Sequence, residues 1–257
     1  MKAVILAGGK GTRISEESFL RPKPLIEIGG KPIIWHIMKI FSAYGINEFI
    51  ICCGYKGYMI KEYFANYFLH TSDVTFHLDQ DNLMEVHRRN HDKWKVTLVD
   101  TGENTQTGGR LLRVKDFIHD EVFCFTYGDG LSDVNINKVI EFNKLNKSIA
   151  TVTAVPPPGR FGNINLKNNN VISILEKIEN NNSWINGGYF VLNKDIFDNI
   201  KGDECIFEID VLPKLVAKNQ FNAYKHSGFW QPMDTLRDHR ILEELWNNEQ
   251  ALWKIWQ

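Results

Sequence analysis

The sequence predicts an α/β fold, a mixed and mostly parallel sheet flanked by helices and interrupted by an antiparallel insertion. Three observations predict it. Continuous apolar runs at residues 1–7, 48–53 and 122–127 have the length of strands buried on both faces. Between the first two, Ile33, Ile34, Ile37, Met38, Ile40 and Phe41 recur at helical spacing. From residue 74 to 99 the pattern changes to period two, as in VTFHL and KVTLV. Strands and helices that alternate along a chain place helices over parallel strands.

Taken in order, MKAVILA ends at Gly8-Gly9-Lys10-Gly11, a strand opening into a loop. A helix is expected over residues 31–44, after Pro32 and before Gly45 at the C-cap. The strand EFIICC over 48–53 and a helix over 58–68 follow, then the antiparallel insertion of residues 74–99. Residues 122–127 form a buried strand closed by Gly128-Asp129-Gly130; a weaker helical pattern covers 135–146 and a strand 149–155. Pro156-Pro157-Pro158-Gly159 breaks the chain before an Asn-rich, turn-laden stretch over 163–182. A strand over 187–192, a helix over 209–217, a strand over 221–226 and a final helix over 236–246 complete the reading. No repeat or linker divides the chain, so residues 1–257 read as one domain.

Composition narrows the function. At 257 residues and 43% hydrophobic, the chain can bury a large core without a disulfide or metal staple. Its 30 Lys+Arg against 31 Asp+Glu leave a net charge of -1, so neither nucleic acid nor a membrane surface is an expected partner, although a local basic site is compatible with this balance. The N-terminal apolar run is too short for a bilayer span or a signal-peptide core. Cys52, Cys53, Cys124 and Cys205 form no C-x-x-C pair, and a reducing cytoplasm is the expected location. No H-E-x-x-H or Cys/His cluster signals zinc.

The first chemistry lies at the exit of the first strand, where open α/β sheets bind ligands. Glycines there let backbone N–H groups approach phosphate oxygens, and Arg13 adds a bidentate cation. A G-x-G-x-x-G fingerprint starting at Gly9 would need glycine where Ile14 stands, and no Walker P-loop is present, so neither an ordinary dehydrogenase nor a P-loop NTPase is favoured. In Arg21-Pro22-Lys23-Pro24, two prolines restrict the backbone around Lys23 and reduce the entropy lost in presenting it to a phosphate. Asp129, at the end of a buried strand and between two glycines, suits Mg²⁺, which takes one or two carboxylates and keeps its other positions for water and phosphate. Asp234 is a second candidate, and an aspartate just before a helix is equally an N-cap.

Leu6-Ala7-Gly8-Gly9-Lys10-Gly11-Thr12-Arg13, then Pro22-Lys23-Pro24, then Gly29-Gly30-Lys31-Pro32-Ile33 resemble the sugar-1-phosphate nucleotidyltransferase family. The motifs Trp35-His36-Ile37-Met38, Cys52-Cys53-Gly54-Tyr55-Lys56-Gly57, Asp100-Thr101-Gly102, Thr107-Gly108-Gly109-Arg110 and Phe229-Trp230-Gln231-Pro232-Met233-Asp234 resemble more narrowly its cytidylyl-transferring members, and nearly the whole chain is covered. The resemblance implies a Rossmann-like fold with a nucleotide-binding half over about residues 1–130 and a sugar-binding half over about 131–257. It implies attack of a sugar 1-phosphate, glucose 1-phosphate foremost, on the α-phosphorus of CTP.

Site residues follow from the same resemblance. Arg13, Lys23, Asp129 and Lys177 carry the catalytic assignment, and Asp129 and Asp234 hold Mg²⁺. The nucleotide falls to the loop from Leu6 to Arg13 together with Lys23, Thr105, Arg110 and Gly128, with Thr105 to Arg110 reading the base. The sugar phosphate falls to Gly162, Glu176, Lys177, Asn186, Gly187 and Tyr189. The family usually reads Glu-Lys-Pro where this chain has Glu176-Lys177-Ile178, which leaves another sugar, or a uridylyl transfer, open. A non-catalytic regulatory homologue is the other alternative. Trp230, Trp246, Trp253 and Trp256 are read as core or subunit-contact residues rather than base-stacking platforms. A homo-oligomer is implied, with the insertion able to reach a neighbour.

Overall fold

The computed structural model describes residues 1–11, 20–79, 83–87, 92–157, 163–167, 170–175 and 183–256. Strand β1 (Lys2–Leu6) is followed by the short pair β2 (Glu27–Ile28) and β3 (Lys31–Pro32), which delivers the chain into α1 (Ile33–Ala43). The helix starts two residues later than the apolar spacing predicts, because Lys31 and Pro32 pair with Ile28 and Glu27. It stops at Gly45, whose φ of +81° favours glycine and lets its N–H and that of Ile46 close on Ser42 and Phe41 carbonyls. Strand β4 (Glu48–Cys53) and helix α2 (Gly57–Ala65) follow; the predicted helical stretch to residue 68 ends in a separate 3₁₀ turn, Tyr67–His70.

The insertion is shorter than expected. Strands β5 (Val74–His77) and β6 (Leu83–Val86) form an antiparallel hairpin of their own, but β7 (Lys95–Asp100) runs parallel to β4 at the edge of the main sheet. Its period-two pattern marks a half-exposed edge strand, which alternates in a parallel sheet as it would in a hairpin. Helix α3 (Thr107–Arg113) escaped the sequence reading because TGGRLLR carries two glycines that disfavour a helix. Tertiary packing overrides that cost: a Cβ on Gly108 or Gly109 would lie 2.8 or 2.5 Å from the carbonyls of Cys205 and Asp203.

Strand β8 (Val122–Tyr127), α4 (Ile136–Asn146) and β10 (Ala150–Val155) match the expected order, with Asn135 capping α4 by accepting from the Lys138 N–H, and a short strand β9 (Gly130–Ser132) that the sequence did not signal lies between β8 and α4. The hairpin β11 (Asn163–Lys167) and β12 (Asn170–Leu175) precedes β13 (Ile185–Asn193). The predicted helix at 209–217 is a π-turn, Phe207–Val211, running into α5 (Leu212–Ala217). Then come β14 (Phe221–Lys225), β15 (Trp230–Pro232), which pairs with β9, and α6 (Leu236–Asn247).

The seven-stranded sheet runs β14-β10-β13-β8-β1-β4-β7. Strand β13 is antiparallel to both of its neighbours, and the other adjacent pairs are parallel, the mixed and mostly parallel sheet expected. Alternate residues of β1 and β4 enter different cores: Ala3, Ile5, Phe49 and Ile51 pack under α1 and α4, whereas Val4, Ile50 and Cys52 pack under α3 and α5. Continuous apolar strands follow from burial on both faces. Among the described residues no helix is long and apolar enough to cross a membrane.

Candidate active site

From β1 the chain goes to β4 on one side of the sheet and returns to β8 on the other, so the strand order reverses between β1 and β8. A cleft of about 770 Å³ opens there, at the carboxyl ends of these two strands. Antiparallel β13 enters the same edge with its first residues. Leu6, Ala7, Gly9, Lys10, Gly11, Lys23, Thr105, Arg110, Gly128, Asp129, Asn186, Gly187, Tyr189 and Asp234 line it, so the nucleotide, metal and sugar candidates among the described residues come together. Thr12, Arg13, Gly162, Glu176, Lys177 and Ile178 lie outside the described residues.

Gly8 stands behind this lining. A Cβ there would meet Arg110 Nη1 at 2.1 Å, and one at Gly54 would meet it at 2.3 Å. Two glycines thus make room for one buried guanidinium. Arg110 Nη1 donates to Thr101 Oγ1 at 2.9 Å and Gly102 O at 2.8 Å, and Nη2 donates to Glu103 O at 3.1 Å. These bonds brace the turn that forms the cleft wall, and Arg110 itself lines the cleft beside it. Burial also pulls its pKa below the ordinary arginine value. Across the mouth, Lys10 Nζ reaches Asn104 Oδ1 at 3.4 Å and bridges the glycine loop to that turn.

Lys23 occupies a 3₁₀ turn, Lys23–Leu25, and is only 8% exposed. Its Nζ donates to Asp129 Oδ2 at 2.7 Å and to Asp234 Oδ1 at 2.8 Å. Asp129 is held by the β8–β9 turn, where Gly128 N–H bonds Leu6 O and Met233 N–H bonds Asp129 O. The cap of α6 is Thr235, with Asp238 completing a capping box, so the N-cap reading of Asp234 is replaced by a carboxylate turned to Lys23. Two carboxylates converging on one cation, with glycine on both sides of the first, fit a divalent metal. Among the described residues no group of three or more metal-ligating side chains forms, and a two-carboxylate set is one that Mg²⁺ supplements with water and phosphate oxygens.

On the sugar side, Asn186 Oδ1 accepts from Gly188 N–H at 2.8 Å, and buried Tyr189 donates its hydroxyl to Gly130 O at 2.8 Å. Tyr189 thereby fixes the turn that follows Asp129, and burial raises its phenol pKa. Trp230 also lines the cleft, with Nε1 donating to Gly187 O at 2.7 Å. That corrects the core-or-contact reading of this tryptophan; its place in Phe229-Trp230-Gln231-Pro232-Met233-Asp234 was the available signal. Trp253 does lie in the core, and Trp246 and Trp256 pack against it, Trp246 and Trp253 both edge-on to buried His36. Tyr127 and Glu208, joined by a hydrogen bond from phenol to carboxylate, were missed because 81 residues separate them.

The family model described as nucleotidyl transferase matches residues 2–238. Glucose-1-phosphate cytidylyltransferase of Salmonella typhimurium (strain LT2) is 55% identical over 258 residues, covering 100% of both chains. A Bacillus subtilis (strain 168) protein named "Probable glucose-1-phosphate cytidylyltransferase" is 41% identical over 257 residues, again covering 100% of both. Among solved structures, HddC from Yersinia pseudotuberculosis superposes with a TM-score of 0.69 at 25% identity, covering 95% of this chain and 99% of that one.

Proposed function

The chain belongs to the nucleotidyl transferase family, and from that premise we propose that it transfers the cytidylyl group of CTP to glucose 1-phosphate, giving CDP-glucose and pyrophosphate. The observation that carries this reading is the meeting of Lys23, Asp129 and Asp234 in a cleft walled by the glycine loop on one side and Asn186 to Tyr189 on the other. Full-length identity of 55% to a glucose-1-phosphate cytidylyltransferase supports the choice of substrates.

The reaction joins two polyanions, so its barrier contains a large repulsion between phosphates. The sugar phosphate is already ionised, and its oxygen attacks the α-phosphorus without a protein base or nucleophile while pyrophosphate leaves opposite. Backbone N–H groups of the glycine loop, with Arg13 and Lys23, orient the triphosphate and oppose its charge. Asp129 and Asp234 would hold Mg²⁺, which supplies charge neutralisation at the phosphates when bound. Lys177 would pair with the sugar phosphate, Glu176 would accept from sugar hydroxyls, and Gly162 and Gly187 would allow close approach. The segment Thr105 to Arg110, with Arg110 also bracing the turn before it, would distinguish cytosine through its placed donors and acceptors. In this account residues 1–130 carry mainly the nucleotide and 131–257 mainly the sugar.

Another sugar 1-phosphate is the second reading, favoured by Ile178 in place of the proline usual after Glu-Lys. We read the chain as a cytoplasmic homo-oligomer. Its four buried free cysteines suit a reducing compartment, and the β5–β6 hairpin exposes Phe76, Leu78 and Leu83, which a second copy would cover. The test of the activity is direct: purified protein with CTP, glucose 1-phosphate and Mg²⁺ should release pyrophosphate and form CDP-glucose. No product at any enzyme concentration would overturn the proposal.

A further inference from the structure

Behind the cleft, three side chains form a continuous bridge from the floor beneath the sugar wall to the nucleotide wall. Tyr127, at the end of β8, donates its hydroxyl to Glu208 Oε1. Thr107 Oγ1 donates to the other carboxylate oxygen, Glu208 Oε2, at 2.8 Å. The Thr107 hydroxyl in turn accepts from the Phe207 N–H at 2.9 Å. Each hydroxyl proton in this bridge has one acceptor, and each carboxylate oxygen has one hydroxyl donor.

The surroundings make the bridge stiff. Glu208 sits in the π-turn Phe207–Val211, a rare conformation that recurs at functional sites. The segment just before it holds the start of α3 through backbone bonds from Gln106 to Asp203 O and from Gly108 and Gly109 to Cys205 O. Arg113 reinforces the same joint, its Nε donating to Asp203 Oδ1 at 2.8 Å. On the other side, the Tyr127 ring lies under Gly188, where a Cβ would be 2.9 Å from Cδ2. Burial and the neighbouring carboxylate both raise the phenol pKa, so Tyr127 stays a donor. Tyr127 and Thr107 line the cleft; Glu208 does not, and it acts through them.

We propose that Glu208 is a positioning residue that couples the two substrate subsites, by tying the nucleotide-side turn at Thr107 to Tyr127, whose ring supports the sugar-side strand beneath Gly188. Binding of one substrate then prepays the ordering of the wall that receives the other, and by linkage the effect is reciprocal. The inference rests on the assignment of CTP and glucose 1-phosphate to this cleft. An amide at position 208 cannot accept from both hydroxyls with both of its heteroatoms, because its nitrogen is a donor. Glu208→Gln therefore breaks one arm of the bridge, and Tyr127→Phe removes the other while keeping the ring.

The test is calorimetric titration of α,β-methylene CTP, whose Pα–CH₂ bond does not cleave, with and without saturating glucose 1-phosphate in Mg²⁺. In the wild-type protein the sugar phosphate should tighten the nucleotide about tenfold, within the range of ordinary coupling. In Glu208→Gln and Tyr127→Phe that ratio should fall to within about twofold of unity while each ligand still binds singly, and the double variant should lose no more coupling than either single one. A wild-type ratio of unity, or a ratio kept in both variants with only the melting temperature lowered, would overturn the inference. Failure of the substrate assignment shows differently, as no binding of either ligand alone to the wild-type protein, and would overturn both.

Discussion

Lys23 and Asp129 meet with 2.7 Å between Nζ and Oδ2, and the same ammonium lies 2.8 Å from Asp234. One buried cation therefore holds together two carboxylates that would otherwise repel at close range. The carboxylates are proposed to receive Mg²⁺ with substrate, and Lys23 is proposed to face the triphosphate. The lysine keeps the acidic pair assembled until those charges arrive.

Removing that cation should cost stability as well as activity. Lys23→Met removes the ammonium that bridges two partly buried carboxylates, at a cost of about 2 kcal/mol after allowing for their exposure. In EDTA the melting temperature should fall by several degrees, and Mg²⁺ alone should restore more of it than it adds to the wild-type protein. Equal magnesium responses in a thermal scan would contradict this.

Asp129→Asn keeps the size of the side chain and the backbone carbonyl that accepts from Met233. Turnover should drop by about a thousandfold, the scale of losing one preorganised charge at a reacting phosphate. Circular dichroism should be unchanged. Substantial residual turnover would remove the carboxylate from the reaction.

The glycine loop offers a paired test. Gly8→Ala puts a Cβ 2.1 Å from Arg110 Nη1 and forces the guanidinium away from the turn it braces, whereas Gly9→Ala meets nothing within 4 Å. The first change should destabilise by about 1–3 kcal/mol and raise the nucleotide KM; the second should leave the melting temperature within about a degree. Equal melting temperatures would contradict the packing account.

Trp230→Phe keeps an aromatic wall but removes the donor to Gly187 O. An unanswered carbonyl on that wall costs about 1 kcal/mol, which predicts a sugar-phosphate KM raised about fivefold. The nucleotide KM, measured in the same steady-state series, should be nearly unchanged.

His36 sets a pH dependence of stability. Its ring is buried, and desolvation is the main cause of a pKa pushed down to about 4 from 6.5. Trp253 Nε1 can only donate, so it fixes Nδ1 as the acceptor and Nε2–H as the donor to Ile28 O. The unfolded chain binds the proton first, so stability is full above about pH 6.5 and is lost progressively as pH falls toward 4, by about 3 kcal/mol in all. Chemical denaturation of His36→Gln between pH 7 and 4 should show a shallower loss than the wild-type protein.

Much of this architecture was legible in the sequence because burial on two faces writes continuous apolar runs, as in β1, β4 and β8. What escaped depended on tertiary context. Residues 95–100 alternate because they form a sheet edge, and periodicity does not report which way a partner runs. The helix at Thr107 is hidden by Gly108 and Gly109, whose purpose appears only once the Cys205 carbonyl is seen against them. In the site, Lys23 and Asp129 were marked by prolines, glycines and a strand end, whereas Asp234 stood out through the family resemblance. The bracing of the turn at 101–103 by the Arg110 guanidinium had no local signal, since its acceptors are set by the fold. Glu208 had no local signature at all, because its meaning lies in contacts to Thr107 and Tyr127.

The measurement that bears most directly on the central claim is kcat/KM across a panel of CTP, UTP, dTTP and GTP against several sugar 1-phosphates in Mg²⁺. The account predicts the highest value for CTP with glucose 1-phosphate, with pyrophosphate and CDP-glucose formed in equal amounts. A higher value for another nucleotide, or for another sugar with CTP, would contradict it.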